Sequence, residues 1–281
     1  MTTIVARVPQ VDFSLGFNRH WYDDNPAITH VFNALSFLFP QGEQFFIDVV
    51  REVAGDMDMT VNPALSTAVK GFIAQESTHR HLHAQYNSIL QKQGYDNAAY
   101  NYIERTIAHS QRNFSALTKL AIVCGYEHYT AVLGDFILSN PHILEAATSE
   151  MALIWGWHSA EETEHKAVCF DLYNAAGGGW LRRILMFSLV SSNFMIMVSR
   201  IYLSLLRRDG CLKPRLIGKT TLQYLQFMFG TSGAAWHIFG NAVRYFKPSF
   251  HPCDEDNRAK LQSWFVANKD RMRLVNGVLG Q

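Results

Sequence analysis

Ala74-Gln75-Glu76-Ser77-Thr78-His79-Arg80 and Ala160-Glu161-Glu162-Thr163-Glu164-His165-Lys166 are two versions of one heptad, and their correspondence decides the fold. Alanine, glutamate and histidine coincide, and Arg80 faces Lys166, at a constant separation of 86 residues. Each heptad lies in a stretch of helical periodicity, from Pro63 to about Gln91 and from Ile143 to Tyr173. Residues three apart share a helix face, so each Glu-x-x-His can address one metal ion with both side chains. Upstream of each heptad lies a further glutamate: Glu43 precedes Glu76 by 33 residues and Glu127 precedes Glu162 by 35. Two helix pairs of this kind predict a four-helix bundle with approximate two-fold symmetry, and the longer stretch from Glu76 to Glu127 leaves room for a crossover.

The repeat also selects among neighbours. A lone Glu-x-x-His is weak, since 11 glutamates and 12 histidines give roughly half a match by chance. Two in matching contexts, with matching upstream glutamates, are specific. Glu161, Glu162 and Glu164 all lie near His165, but Glu162 aligns with Glu76 while Glu161 aligns with Gln75. Two adjacent cations need bridging carboxylates, so the predicted ligands are Glu43, Glu76, His79, Glu127, Glu162 and His165. His158 lies four residues before Glu162 on the same face and adds a seventh, whereas its counterpart in the first half is Phe72. Such a ligand makes the two ions unequal. His83 and Glu161 are read as groups that orient the ligands. His81 points away and is expected at the surface, His128 lies about 100° round its helix from Glu127, and His30 is a candidate for the pocket wall. Asp48, Asp135 and Asp171 are candidates for orienting imidazoles, with surface salt bridges as the usual fate of such residues.

Composition sets the surroundings. The formal net charge of +1 gives no basic field for nucleic acid, and charged residues make up only 17% against 13% aromatics. Four scattered cysteines (Cys124, Cys169, Cys211 and Cys253) form no C-x-x-C pair, which argues against a thiolate zinc site or a disulfide framework. The first residues lack the apolar stretch of a signal peptide, so a cytoplasmic location is expected. Breakers at Pro40-Gln41-Gly42, Gly55-Asp56, Asn62-Pro63, Gly94, Asn140-Pro141 and Gly177-Gly178-Gly179 mark expected helix ends. The expected organisation is one helical domain over 1–281. A metal-binding four-helix core spans 27–176, and an apolar C-terminal helical extension over 180–281 packs on it. Within that extension, residues 184–199 read ILMFSLVSSNFMIMVS. Sixteen residues are short for a span, so the stretch reads first as a buried core helix. The competing readings are a cap on a substrate tunnel, a contact with a second subunit in a homodimer, and a peripheral membrane contact.

Five strings carry a resemblance: ALSFLFPQGEQFF (34–46), FIAQESTHRHLHAQYN (72–87), YEHYTA (126–131), WHSAEETEHKAV (157–168) and YFKPSFHPCDEDN (245–257). From about Val8 to Trp264 the chain resembles the bacterial family catalogued as predicted metal-dependent hydrolases. Locally, the metal-binding portion looks like the ferritin-like di-iron oxygenases, and His158-x-x-x-Glu162-x-x-His165 is similar to the arrangement in p-aminobenzoate N-oxygenase, whose extra histidine joins the ligand set. The expected fold class is therefore all-α, a ferritin-like four-helix bundle with additional C-terminal helices. The expected cofactor is two metal ions, iron first, with manganese or a mixed pair as alternatives. The leading functional expectation is a dinuclear iron oxygenase or oxidase acting with O₂ on a small apolar or aromatic substrate and drawing on an external electron donor. The alternatives are a dinuclear metal-dependent hydrolase and a non-catalytic iron-binding protein.

Overall fold

The computed structural model describes residues 4–231 and 233–275, and the last six residues of the expected extension, 276–281, lie outside that range. Among the described residues the chain is all-α apart from one small sheet. Helices α1 (Pro26–Gly55), α2 (Pro63–Lys92), α4 (Ala116–Ser139) and α5 (Ser149–His165) make up the four-helix core. Helix α3 (Tyr100–Asn113) forms the crossover between the two pairs, where the spacing predicted one. Beyond the core follow α6 (Val168–Ala175), α7 (Trp180–Arg208), α8 (Ile217–Phe229), α9 (Ala234–Tyr245) and α10 (Arg258–Asn268).

Local chemistry sets the helix starts. Asn25 accepts hydrogen bonds from the amides of Ala27 and Ile28 ahead of Pro26, and Asn62 caps α2 in the same way ahead of Pro63. Ser115 caps α4 through the Thr118 amide. One expected boundary is absent: α1 runs straight through Pro40-Gln41-Gly42. Proline removes the hydrogen bond that would satisfy the Ser36 carbonyl one turn earlier. Here the Asn87 amide on α2 donates to that carbonyl at 2.8 Å, and Asn97 likewise serves the Phe37 carbonyl at 2.8 Å. Neighbouring elements thus complete the broken ladder, and Glu43 is carried on an uninterrupted helix.

Packing places the polar centre between two apolar blocks. Phe32, Phe37, Leu82, Tyr86, Leu90, Ile154 and Trp155 fill one end of the bundle. Val49, Val50, Leu65, Val69, Leu120, Val123 and Leu172 fill the other. Helices α4 and α5 approach closely at Gly134, where a Cβ would lie 2.7 Å from the Ser159 carbonyl oxygen. The strands, which periodicity did not predict, are β1 (Arg7–Pro9) and β2 (Met272–Leu274), paired antiparallel with Val8 opposite Arg273. They tie the two ends of the described chain across α2 and α5.

Helix α7 departs from expectation. It is long and apolar enough to cross a membrane, but only 28% of its most apolar stretch is buried. Met186, Phe187, Val190, Met197 and Ile201 face the core, while Leu181, Leu185, Leu189, Met195, Ile196 and Leu203 are exposed. It is therefore a half-covered helix rather than a buried core helix, because α8 and α9 flank it without closing over its outer face.

Asn87→Leu tests the repair of α1. It strands the Ser36 carbonyl and should cost about 1–3 kcal/mol, read as a melting temperature lowered by several degrees.

Candidate metal centre

The four core helices bring all seven predicted ligands together, and every one is buried. Glu43 comes from the middle of α1, Glu76 and His79 from α2, Glu127 from α4, and His158, Glu162 and His165 from α5. Their donor atoms fall into two groups, each within 4.8 Å: Glu43, His79 and His158, and Glu76, Glu127, Glu162 and His165. Glu162 joins the groups. One of its oxygens lies 3.2 Å from His79 Nδ1 and 3.3 Å from His158 Nε2, and the other 3.3 Å from His165 Nε2. Glu76 Oε1 is similarly shared, 3.2 Å from His79 Nδ1 and 3.5 Å from His165 Nε2. Glu127 Oε2 approaches only His165 Nε2, at 3.3 Å.

These residues fit a pair of cations. Both oxygens of Glu43 and of Glu76, one each of Glu127 and Glu162, and the inward nitrogens of His79, His158 and His165 are buried without a hydrogen-bond partner. So many orphaned acceptors and donors in one place are costly unless something else completes them. Oxygen and imidazole donors without thiolates suit first-row ions such as iron, manganese or zinc.

The outward side of each imidazole is held, which fixes the nitrogen turned inward. His79 donates from Nε2 to Glu161 at 3.1 Å, and His165 donates from Nδ1 to the Gln75 side-chain oxygen at 2.9 Å. Gln75 and Glu161 are equivalent positions of the repeat, and each serves the histidine of the other heptad. The third imidazole is set by a chain of donors. Ser36 donates to Asn87 at 2.8 Å and therefore accepts from His83 Nδ1 at 2.9 Å. His83 Nε2, left without a proton, accepts from His158 Nδ1 at 3.2 Å. That leaves the His158 Nε2 lone pair facing the centre.

Arg7 on β1 closes the outer layer. Its amide donates to Glu161 at 2.8 Å and its guanidinium to Glu164 at 2.8 Å, while Gln75 donates to the same Glu164 carboxylate at 2.6 Å. The arm carrying Arg7 also lies close on α2, where a Cβ at Gly71 would clash with Ile4 at 2.7 Å.

Burial and mutual charge shift the titration of these groups in opposite directions. Burial, with the charges of the neighbouring glutamates, raises Glu43 well above the ordinary carboxylate range, and burial followed by Glu162 raises Glu76. Burial pushes Glu127 up to about 8 against the opposing pull of His165. Burial works against the charged imidazoles of His79 and His165, but the surrounding carboxylates outweigh it and raise both. Burial would also raise Glu162, yet His165, His79 and His158 hold it well below the carboxylate range. His158 is pushed down to about 3 by burial and then by the charge on His79.

Other expectations resolve differently. His81 is exposed, as expected, and Glu161 accepts from the His79 imidazole. His30 does not line the pocket: it is buried and hydrogen-bonded to Asp209 at 2.7 Å. His128 packs among Phe187, Tyr245 and Phe250 and lies within reach of the Asn241 carbonyl at 3.1 Å. Asp48, Asp135 and Asp171 do not orient ligand imidazoles. They pair instead with Gln44, with Lys260 and His237, and with His251, because their helix positions turn them outward from the centre.

A cavity of about 280 Å³ reaches the centre, bordered there by Glu43 and Glu162 and walled by Phe39, Phe46, Tyr126, Phe194 and Val190. Its lining includes the exposed His109 and Leu189, so it meets the surface between α3 and α7. A second apolar cavity of about 130 Å³ lies under α7, α8 and α9 and reaches His158.

Residues 5–256 match the profile of the family described as "Predicted metal-dependent hydrolase". The chain belongs to this family. No curated protein and no solved structure matches it. The family match spans the whole bundle and the α6–α9 layer. The likeness to p-aminobenzoate N-oxygenase rests on the three residues of α5 alone.

Two outcomes check the centre. Glu161→Gln should weaken the ion of the Glu43–His79–His158 group by about tenfold or more, and Gln75→Leu the ion of the Glu76–Glu127–Glu162–His165 group, in metal titrations. The raised carboxyls of Glu43, Glu76 and Glu127 bind protons in the folded chain that the unfolded chain has released. Their contribution to stability is present below about pH 4.5 and is lost as pH rises towards 8. Above about pH 6.5, where the lowered imidazoles of His83 and His158 no longer act in the opposite sense, metal-free protein should therefore lose denaturation midpoint up to pH 8, and metal should flatten that profile while releasing protons.

Proposed function

We propose that this chain is a dinuclear metal-dependent hydrolase acting on a substrate with a substantial apolar portion. The observation that carries the metal part is the convergence of seven buried ligating side chains whose inward atoms have no other partner. The family match supports the reaction class. Bound at this centre, the ions supply either activation of water for hydrolysis or, as ferrous iron, reduction of O₂.

The chain's own residues have distinct tasks in this reading. Phe39, Phe46, Tyr126 and Phe194 hold the apolar portion and exclude water from the cavity. Glu43, with both oxygens unpartnered, would hold one of the ions together with His79 and His158. It borders the cavity, so its carboxylate lies where the reacting end of the substrate would meet the centre. Glu161, Gln75 and the His83–Ser36 pair keep the imidazoles from rotating.

A second reading, a di-iron oxygenase or oxidase, is favoured by one observation: the cavity wall is almost wholly apolar. It offers few donors to polarise a carbonyl, whereas oxidation of an apolar group needs positioning more than polar recognition. This reading also requires an external electron donor.

Metal analysis followed by two parallel assays separates the readings. Hydrolysis should appear with p-nitrophenyl esters, increase with acyl length, and be lost on chelation of the metal and restored by its return. Absence of ester and amide turnover, with O₂ consumed after anaerobic ferrous loading, would exclude hydrolysis in favour of the second reading.

A further inference from the structure

We propose that the outer face of α7, α8 and α9 docks in the plane of an anionic lipid bilayer, from which the cavity draws an acyl-chain substrate. This rests on the cavity being the substrate's site, as argued above, and adds where that substrate comes from.

The first observation is an apolar face of unusual extent. On α7, Leu181, Leu185, Leu189, Ile196 and Leu203 follow helical spacing along one exposed stripe. On α8, Leu222, Leu225 and Phe229 do the same, and on α9, Trp236, Phe239 and Val243. The stripes connect. Trp180 at the start of α7 donates to the Phe246 carbonyl at 3.0 Å just beyond α9, and the Phe229 and Trp236 rings lie 5.9 Å apart between α8 and α9. Large continuous apolar faces are uncommon on freely soluble chains and mark sites of contact. Tryptophans at the edges suit the boundary between headgroups and hydrocarbon.

The second observation is charge, and it selects the occupant. Residues 180–250 contain ten lysines and arginines and one acidic residue, Asp209, leaving 15 basic against 23 acidic residues elsewhere. Asp209 is turned inward, accepting from Tyr95, within reach of His20 and His30, and paired with Arg19. Arg182, Arg200, Arg207, Lys213, Arg215, Lys219 and Lys247 are exposed. Arg200 and Arg207 follow Ile196 and Leu203 by one helical turn and so border the α7 stripe. An apolar stripe rimmed by cations matches a surface of acyl chains under anionic headgroups. A second copy of the chain would instead bring the same positive rims together.

The third observation links the face to the chemistry. Leu189 belongs both to the exposed stripe and to the lining of the cavity that ends at Glu43 and Glu162. An acyl chain entering between α3 and α7 therefore leaves hydrocarbon only for another apolar wall.

The test uses the full, metal-loaded chain and vesicles of phosphatidylcholine with or without 30% phosphatidylglycerol. Sedimentation should show binding to the anionic vesicles that weakens with salt. Arg200→Gln with Arg207→Gln should lower the partition coefficient on the order of 20-fold, at about fivefold per charge. Trp236→Ser with Phe239→Ser should lower it independently, with melting curves showing that both variants fold. A chain that stays in the supernatant with anionic vesicles overturns the proposal. So does unchanged binding in both variants, or a dimer that only the Trp236/Phe239 pair dissociates. Metal content measured on the same samples keeps the two readings apart: full metal without vesicle binding removes the docking alone, whereas vesicle binding without metal removes the assignment of the centre alone.

Discussion

Four carboxylates and three imidazoles buried at the middle of a helical bundle are the constraint on which the rest of the structure depends. Removing that many charges from water costs several kcal/mol for each group left unpaired. Partial protonation relieves some of it, which is why burial and mutual repulsion raise Glu43, Glu76 and Glu127 while His79 and His165 hold protons. Two cations relieve it more completely, since each carboxylate and each free nitrogen then gains a partner. The apolar blocks at the two ends of the bundle hold the helices that carry the cluster against one another.

The centre is built on a two-fold plan and departs from it in one place. Gln75 and Glu161 exchange roles across the pseudo-symmetry, each holding the opposite histidine. Where α5 carries His158, α2 carries Phe72, whose ring packs edge-on against His165 at 4.9 Å. His158 stacks on Phe39 at 4.5 Å and leans on His83 and Ser36. One group thus offers an ion one carboxylate and two imidazoles of its own (Glu43, His79 and His158), the other one carboxylate and one imidazole (Glu127 and His165), with Glu162 and Glu76 within reach of both. Unequal donor sets give unequal affinities, so the two positions can differ in occupancy and in the ligand sites left open.

The ligands were legible because helical spacing and the repeat both act on short segments of sequence. The groups that orient them were less so. Glu161 could be read from its neighbourhood, but Gln75 was passed over as a non-ligand although its alignment with Glu161 was the signal. Ser36, Asn87 and Arg7 lie far along the chain from the histidines they influence, and no local periodicity couples them. Pro40 misled for a related reason: its helix-breaking tendency is local, and Asn87 on another helix satisfies the carbonyl it frees. The apolar stretch of α7 was read as core because composition reports apolarity, not whether a neighbouring helix covers it.

Exposure of α7 is better understood together with the cavity than apart from it. Part of the inner face of α7 is packed on the core, and part of it, at Val190 and Phe194, lines the cavity. Covering its outer face with further helices would bury α7 and close the route past Leu189. Leaving the face open exposes leucines, phenylalanines and tryptophan to water, an unfavourable state unless an apolar phase is near. The concentration of positive charge around that face, in a chain whose total is close to neutral, gives such a phase a sign. On the proposed docking, cavity, open face and charge follow from one requirement, that an apolar molecule reach the carboxylate-rich centre without crossing bulk water.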